Sequence, residues 1–137
     1  MLKPVFSVMA LAAARKRHEQ ASSPAASHKV YIACGYTDLR KGIDGLALLV
    51  QQEFNLDPFT NTLFLFCGRR RDRIKGLYWE GDGFVLVYKR LEEGVYQWPR
   101  SESEVRQITP QQYRWLMEGL KVEQSKAHRP VEGLSIA

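Results

Sequence analysis

Five cationic side chains, Arg69, Arg70, Arg71, Arg73 and Lys75, crowd one short stretch of this chain, interrupted by Asp72. Arginine offers a fixed charge and forked donors, which is what recognition of phosphate demands. The stretch continues into an apolar and aromatic run, Ile74 to Trp79. It breaks at Gly81-Asp82-Gly83, resumes as Phe84 to Tyr88, and ends in Lys89 and Arg90. Two strand-like runs about a Gly-Asp-Gly tip predict a β-hairpin, because Gly and Asp accept the positive φ of tight turns. An antiparallel hairpin brings the entry of its first strand beside the exit of its second. Seven cations are therefore expected at one end of one hairpin. That is an anion-binding layout, and a nucleic-acid backbone is the commonest large polyanion. The alternative is a solvated loop that serves solubility.

Other chemistry is weaker in the sequence. Asp38, Asp44, Asp72, Glu80 and Asp82 are candidates for a metal-dependent nuclease or strand-transfer site, which needs two or three carboxylates converging on Mg²⁺. Each has an ordinary role open to it: the helix start for Asp38 and Asp44, an arginine neighbour for Asp72, a turn for Asp82. No acidic residue stands two positions before a lysine. No catalytic residue and no cofactor are therefore assigned. Cys34 and Cys67 lie in apolar, strand-like contexts, and His18, His28 and His128 are scattered in polar segments. The cysteines read as buried thiols in a reducing cytosol, with no metal site. Tyr78, Trp79, Tyr88, Tyr96 and Trp98 flank the basic residues. They are expected to build core, with base stacking open to whichever ring faces out.

The elements that must hold these residues follow from periodicity. Residues 1–28 divide into an Ala-rich half and a Ser/Pro/Ala half that reads as a flexible linker. Lys3 and the run Val5 to Ala14 resemble a short signal peptide. Arg15-Lys16-Arg17 stand where small residues should mark cleavage, so the segment reads as a non-secretory tail or an over-extended start. No apolar run is long enough to span a membrane. Val30 to Ala33 predicts a first strand. Thr37 is expected to cap a helix with Asp38 in its first turn, and Leu39, Ile43, Leu46, Val50 and Phe54 form its apolar stripe. Arg40 and Lys41 lie off that stripe and join the candidate DNA contacts. Gly42 and Gly45 imply either close packing or a bend. Thr62 to Cys67, apolar on both faces, predicts a strand inside a sheet. Val95 to Trp98 predicts a short last strand, while residues 100–107 show no period. Thr109, Pro110 and Gln112 give a capping box for a final helix with Tyr113, Leu116, Met117 and Leu120 on its apolar face.

The predicted class is α+β: a single small domain at 29–122, mostly antiparallel sheet with a central hairpin, one helix after the first strand and one near the C-terminus. A basic tail precedes it at 1–28 and a loose tail follows at 123–137. The net charge of +5 favours acidic partners.

Thr37-Asp38-Leu39-Arg40-Lys41, Asp44-Gly45-Leu46, the Arg-Arg-x-Asp-Arg-x-Lys run at 69–75, and Tyr78 to Phe84 carry a resemblance. From about Val30 to Leu120 the chain resembles the TnpB accessory protein of the sixty-six class of bacterial insertion sequences, the product of the element's second reading frame. That family is distinct from the RNA-guided nuclease that shares the name. The resemblance implies a cytoplasmic bacterial protein acting in transposition beside a separate, larger transposase that holds the catalytic residues. It carries over no catalytic residue. Residues 1–28 fall outside it. The expected partners are thus DNA, met through its backbone, and the transposase; the oligomeric state is left open. A protein–protein adaptor docking on the transposase, or a nuclease subunit, are the alternative readings.

Overall fold

The computed structural model describes residues 29–101 and 104–128. The tail assigned to residues 1–28, and residues 129–137 of the second tail, lie outside the described residues. Among the described residues five strands and two helices follow in order: β1 (Lys29–Ala33), α1 (Ile43–Gln52), β2 (Thr62–Cys67), β3 (Arg73–Trp79), β4 (Phe84–Arg90), β5 (Val105–Ile108) and α2 (Pro110–Met117). They form one sheet in the order β4-β3-β2-β1-β5. Only β1 and β2 run parallel, joined by the crossover helix α1; every other pairing is antiparallel. The α+β architecture is as the sequence predicts.

β2 is the middle strand and all six of its residues are buried. Its unbroken apolar run is explained by cover on both faces. Phe64 and Phe66 point to the α1 side, where they meet Ala33, Leu46, Val50 and Leu77. Leu63, Leu65 and Cys67 point to the other side. There Val30, Ile32, Ile74, Tyr78, Tyr96, Trp98, Tyr113 and Leu116 complete a larger core. The predicted stripe of α1 holds, with Leu46 and Val50 fully buried and Leu39, Ile43 and Phe54 packed at its margins. The capping box of α2 is formed: Gln112 N donates to Thr109 Oγ1 at 3.1 Å and Thr109 N to Gln112 Oε1 at 2.9 Å.

Three expectations need correction. Thr37 caps no helix: α1 begins at Ile43 with Gly42 as its N-cap, and Thr37 N donates instead to Cys67 O at 2.8 Å, bracing a loop against the end of β2. Gly42 meets nothing closely, while a Cβ on Gly45 would lie 3.1 Å from Lys41 Cβ, so the stem of a lysine is the close neighbour there. Val95–Trp98 is not a strand. The last strand is β5, in the stretch without visible period, held by pairing to β1 from Val30↔Ile108 to Ala33↔Val105. Residues 95–98 are an extended strap that buries Tyr96 and Trp98 and is tied down through Tyr96 N to Arg71 O at 2.7 Å and Trp98 Nε1 to Ala33 O at 2.8 Å. Leu120, placed by sequence on the apolar face of α2, lies beyond its end and is exposed.

Tyr96 Oη is buried with no hydrogen-bond partner among the described residues. Removing an unpaired buried hydroxyl removes a desolvation cost. Tyr96→Phe should therefore raise the urea midpoint, by about 1 kcal/mol of stability. A loss of stability would show that the hydroxyl has a partner in solution.

Candidate functional site

The β3–β4 hairpin sets the geometry. Its register runs from Trp79↔Phe84 at the tip to Arg73↔Arg90 at the open end. Gly81, at φ +94°, turns the tip, and Glu80 N closes it onto Gly83 O at 2.9 Å. The two basic ends are brought together as the sequence implies. Because side chains alternate along a strand, they also divide between two faces. Arg73 and Lys75 stand on the α1 face with Leu77 and Tyr88. Lys89, opposite Ile74, stands on the other.

On the α1 face lies an open groove of about 760 Å³. One wall is the loop Tyr36 to Arg40, which leads from β1 toward α1. The other is the β2–β3 loop with Arg69 and Arg70, and the floor is Arg73, Lys75 and Tyr88 on the hairpin. Gly68 sits at the junction: a Cβ there would meet Arg73 Cγ and Leu39 Cδ1 at 3.2 Å, so the absence of a side chain lets the walls close on each other. Arg69 stacks its guanidinium 4.1 Å from the centre of the Tyr36 ring and donates to Tyr36 Oη. Lys75 Nζ donates to Lys41 O at 2.9 Å, joining the hairpin to the loop. Behind the Tyr36–Arg69 pair a second hollow of about 430 Å³ is lined by Arg69, Arg71, Trp98, Pro99 and Arg100.

Five of the nine candidate contacts, Arg40, Arg69, Arg70, Arg73 and Lys75, thus share one concave surface. Arg71, held at φ +62°, faces the adjoining hollow. Lys41 borders a third hollow, beside Glu53 and Phe54. Arg90 lies 3.5 Å from Glu92. Lys89 is half-buried, and that burial lowers its pKa.

The carboxylates near the groove are engaged. Arg40 Nη2 donates to Asp38 Oδ2 at 2.7 Å and its backbone N to Oδ1 at 3.0 Å; these bonds hold the Asp38 carboxyl well below the usual range. Asp72 accepts from Arg73 Nε at 3.0 Å and is likewise lowered. Among the described residues no three His, Cys, Asp or Glu side chains are grouped so as to hold a metal ion. Cys34 and Cys67 are buried free thiols, and burial pushes the Cys67 thiol up to about 12.

Of the five aromatics singled out by sequence, Tyr78, Tyr96 and Trp98 are core, and Trp79 packs edge-on against Phe59 and Phe84. Tyr88 faces out. Tyr36 and Arg100 are lining residues that sequence reasoning did not pick. Tyr36 follows a turn glycine at the end of a strand, where loops carrying function are commonly placed. Arg100 carried no such signal.

The family described as IS66 Orf2 like protein matches residues 28–127, so both the sheet and the groove lie inside the match. The chain belongs to the IS66 Orf2-like family. A Sinorhizobium fredii relative bearing the name uncharacterized protein y4hO is 39% identical over 92 residues, covering 67% of this chain and 80% of that protein. A second from the same organism, uncharacterized protein y4jC, is 30% identical over 112 residues, 80% of this chain and 96% of its own length. No solved structure matches the chain. Membership of the IS66 Orf2-like family ties the protein to insertion-sequence transposition in an accessory role. Among the described residues no helix is long and apolar enough to cross a membrane.

Proposed function

We propose that this protein is a non-catalytic accessory factor of insertion-sequence transposition that binds DNA through the arginine groove and assists a separate transposase. The observation that carries the reading is the convergence of Arg40, Arg69, Arg70, Arg73 and Lys75 from three chain segments onto one concave surface. Fixed, forked donors around a hollow suit phosphates on a backbone, and their contacts are indifferent to base sequence. Asp38 and Asp72 pair with Arg40 and Arg73, and this reading assigns catalysis to the separate transposase.

Filter binding of a duplex at several salt concentrations tests this directly. Four or five phosphate contacts give a slope of log K against log salt of roughly −4, or a few hundredfold loss between 50 and 200 mM. The DNA should be recovered uncut from incubation with Mg²⁺. A slope near zero, with the protein still co-purifying with its transposase, would replace this reading by that of a protein–protein adaptor.

A further inference from the structure

Among the described residues five large apolar side chains are exposed, and the two tyrosines in that group, Tyr36 at 51% and Tyr88 at 45%, both line the arginine groove. They come from different segments, Tyr36 from the loop after β1 and Tyr88 from β4. A cation lies over each ring, Arg69 at 4.1 Å and Lys75 at 5.9 Å from the respective centroids, so a base would stack on the opposite face. The other tyrosines near the hairpin, Tyr78 and Tyr96, are fully buried. Core packing therefore explains those rings and does not explain these two.

A duplex presents its phosphates outward while its bases are stacked on one another, so it offers no base face to a ring at the floor of a hollow. An unpaired strand offers both. Alternation of cations with exposed rings along one groove is the arrangement that binds single strands, the cations taking the backbone and the rings taking bases.

We infer that the groove takes an unpaired DNA strand, with bases stacked on Tyr36 and Tyr88 and phosphates held by Arg69, Arg70, Arg73 and Lys75. This rests on the DNA-binding reading and names the form of DNA. The strand is bound without strong preference for sequence, since every base has a π-face.

The test is fluorescence anisotropy with three end-labelled probes of equal length: a thymine oligomer, the same backbone carrying abasic sites, and a duplex. The full-length protein should bind the thymine oligomer tightest, at least fivefold over the abasic strand. Tyr36→Ala and Tyr88→Ala should each weaken the thymine oligomer by roughly five- to 150-fold and weaken the abasic strand by less. Tyr36→Phe and Tyr88→Phe should keep the preference for the thymine oligomer over the abasic strand. Equal, salt-sensitive binding of all three probes by the wild-type protein would overturn the inference while leaving the DNA-binding reading intact. Failure to bind any of them would overturn both. The wild-type comparison of normal with abasic strand stands even where an alanine variant does not fold.

Discussion

Replacing Trp98 by alanine should cost about 3–5 kcal/mol, the range for truncating a large buried aromatic ring. Trp98 is 5% exposed and belongs to the larger core with Ile32, Cys34 and Tyr113. Its Nε1 donates to Ala33 O at 2.8 Å, and the adjoining Pro99 O accepts from Gly35 N at 2.8 Å. The strap thus clamps the end of β1 at the point where the chain leaves the sheet to form the Tyr36 wall of the groove. Truncation leaves a cavity and removes the indole donor to Ala33 O. Against a typical domain stability of 5–15 kcal/mol the loss is large. Urea titration followed by circular dichroism measures it. Trp98→Phe should retain most of the packing and lose chiefly the hydrogen bond, about 1 kcal/mol. A Trp98→Ala change below 1 kcal/mol would mean that the strap lies loosely on the sheet and does not clamp it.

That strap marks the boundary of what sequence could tell. Val95-Tyr96-Gln97-Trp98 alternates, and alternation does report an extended backbone whose second and fourth residues point inward. It does not report which groups take the backbone hydrogen bonds. Here Tyr96 N bonds to the carbonyl of Arg71 in a loop and not to a strand. The converse holds for Val105–Ile108, four residues with two polar side chains at a sheet edge. Their strand character is conferred by β1, which is distant in sequence, so no local pattern carries it. The start of α1 was misplaced for a related reason. Thr37-Asp38 has the chemistry of a helix cap, but the end of β2 takes the Thr37 N–H and Arg40 takes the Asp38 carboxylate. Where a signal was complete within a few residues, as in the capping box at Thr109 and the Gly81–Gly83 tip, sequence and structure agree.

The site was legible to the same degree. Crowding of arginines was visible, and so was the meeting of the two hairpin ends. Their division between faces depends on register. The pair Trp79↔Phe84 makes every pair sum to 163, which sets Lys89 opposite Ile74 and Arg90 opposite Arg73. A one-residue change in the turn would exchange the faces of one strand's side chains. The contribution of Tyr36 and Arg100 depends on how the loop after β1 and the strap fold beside the β2–β3 loop, a purely tertiary matter.

The face division yields a sharp prediction. Two double variants, Arg69→Ala with Arg70→Ala and Lys89→Ala with Arg90→Ala, remove the same formal charge, taking the net from +5 to +3 by loss of two cations. A protein that held DNA by its overall field alone would respond equally to both. A protein that holds it in the groove responds to the first, because Arg69 and Arg70 line that hollow while Lys89 stands on the opposite face and Arg90 leans toward Glu92. Loss of two phosphate contacts at about −0.9 each reduces the salt slope by roughly 2, and at 0.15 M salt weakens binding on the order of 30-fold. The Lys89/Arg90 variant should shift the slope by less than about 0.5, the residue of long-range attraction that salt largely screens. Neither pair should abolish folding, which circular dichroism and the melting temperature check. Equal slopes for the two variants would show that position in the groove is irrelevant and that the positive field of the whole protein does the binding. Loss confined to the Lys89/Arg90 variant would move the DNA out of the groove, to the end of β4 where Lys89 and Arg90 stand.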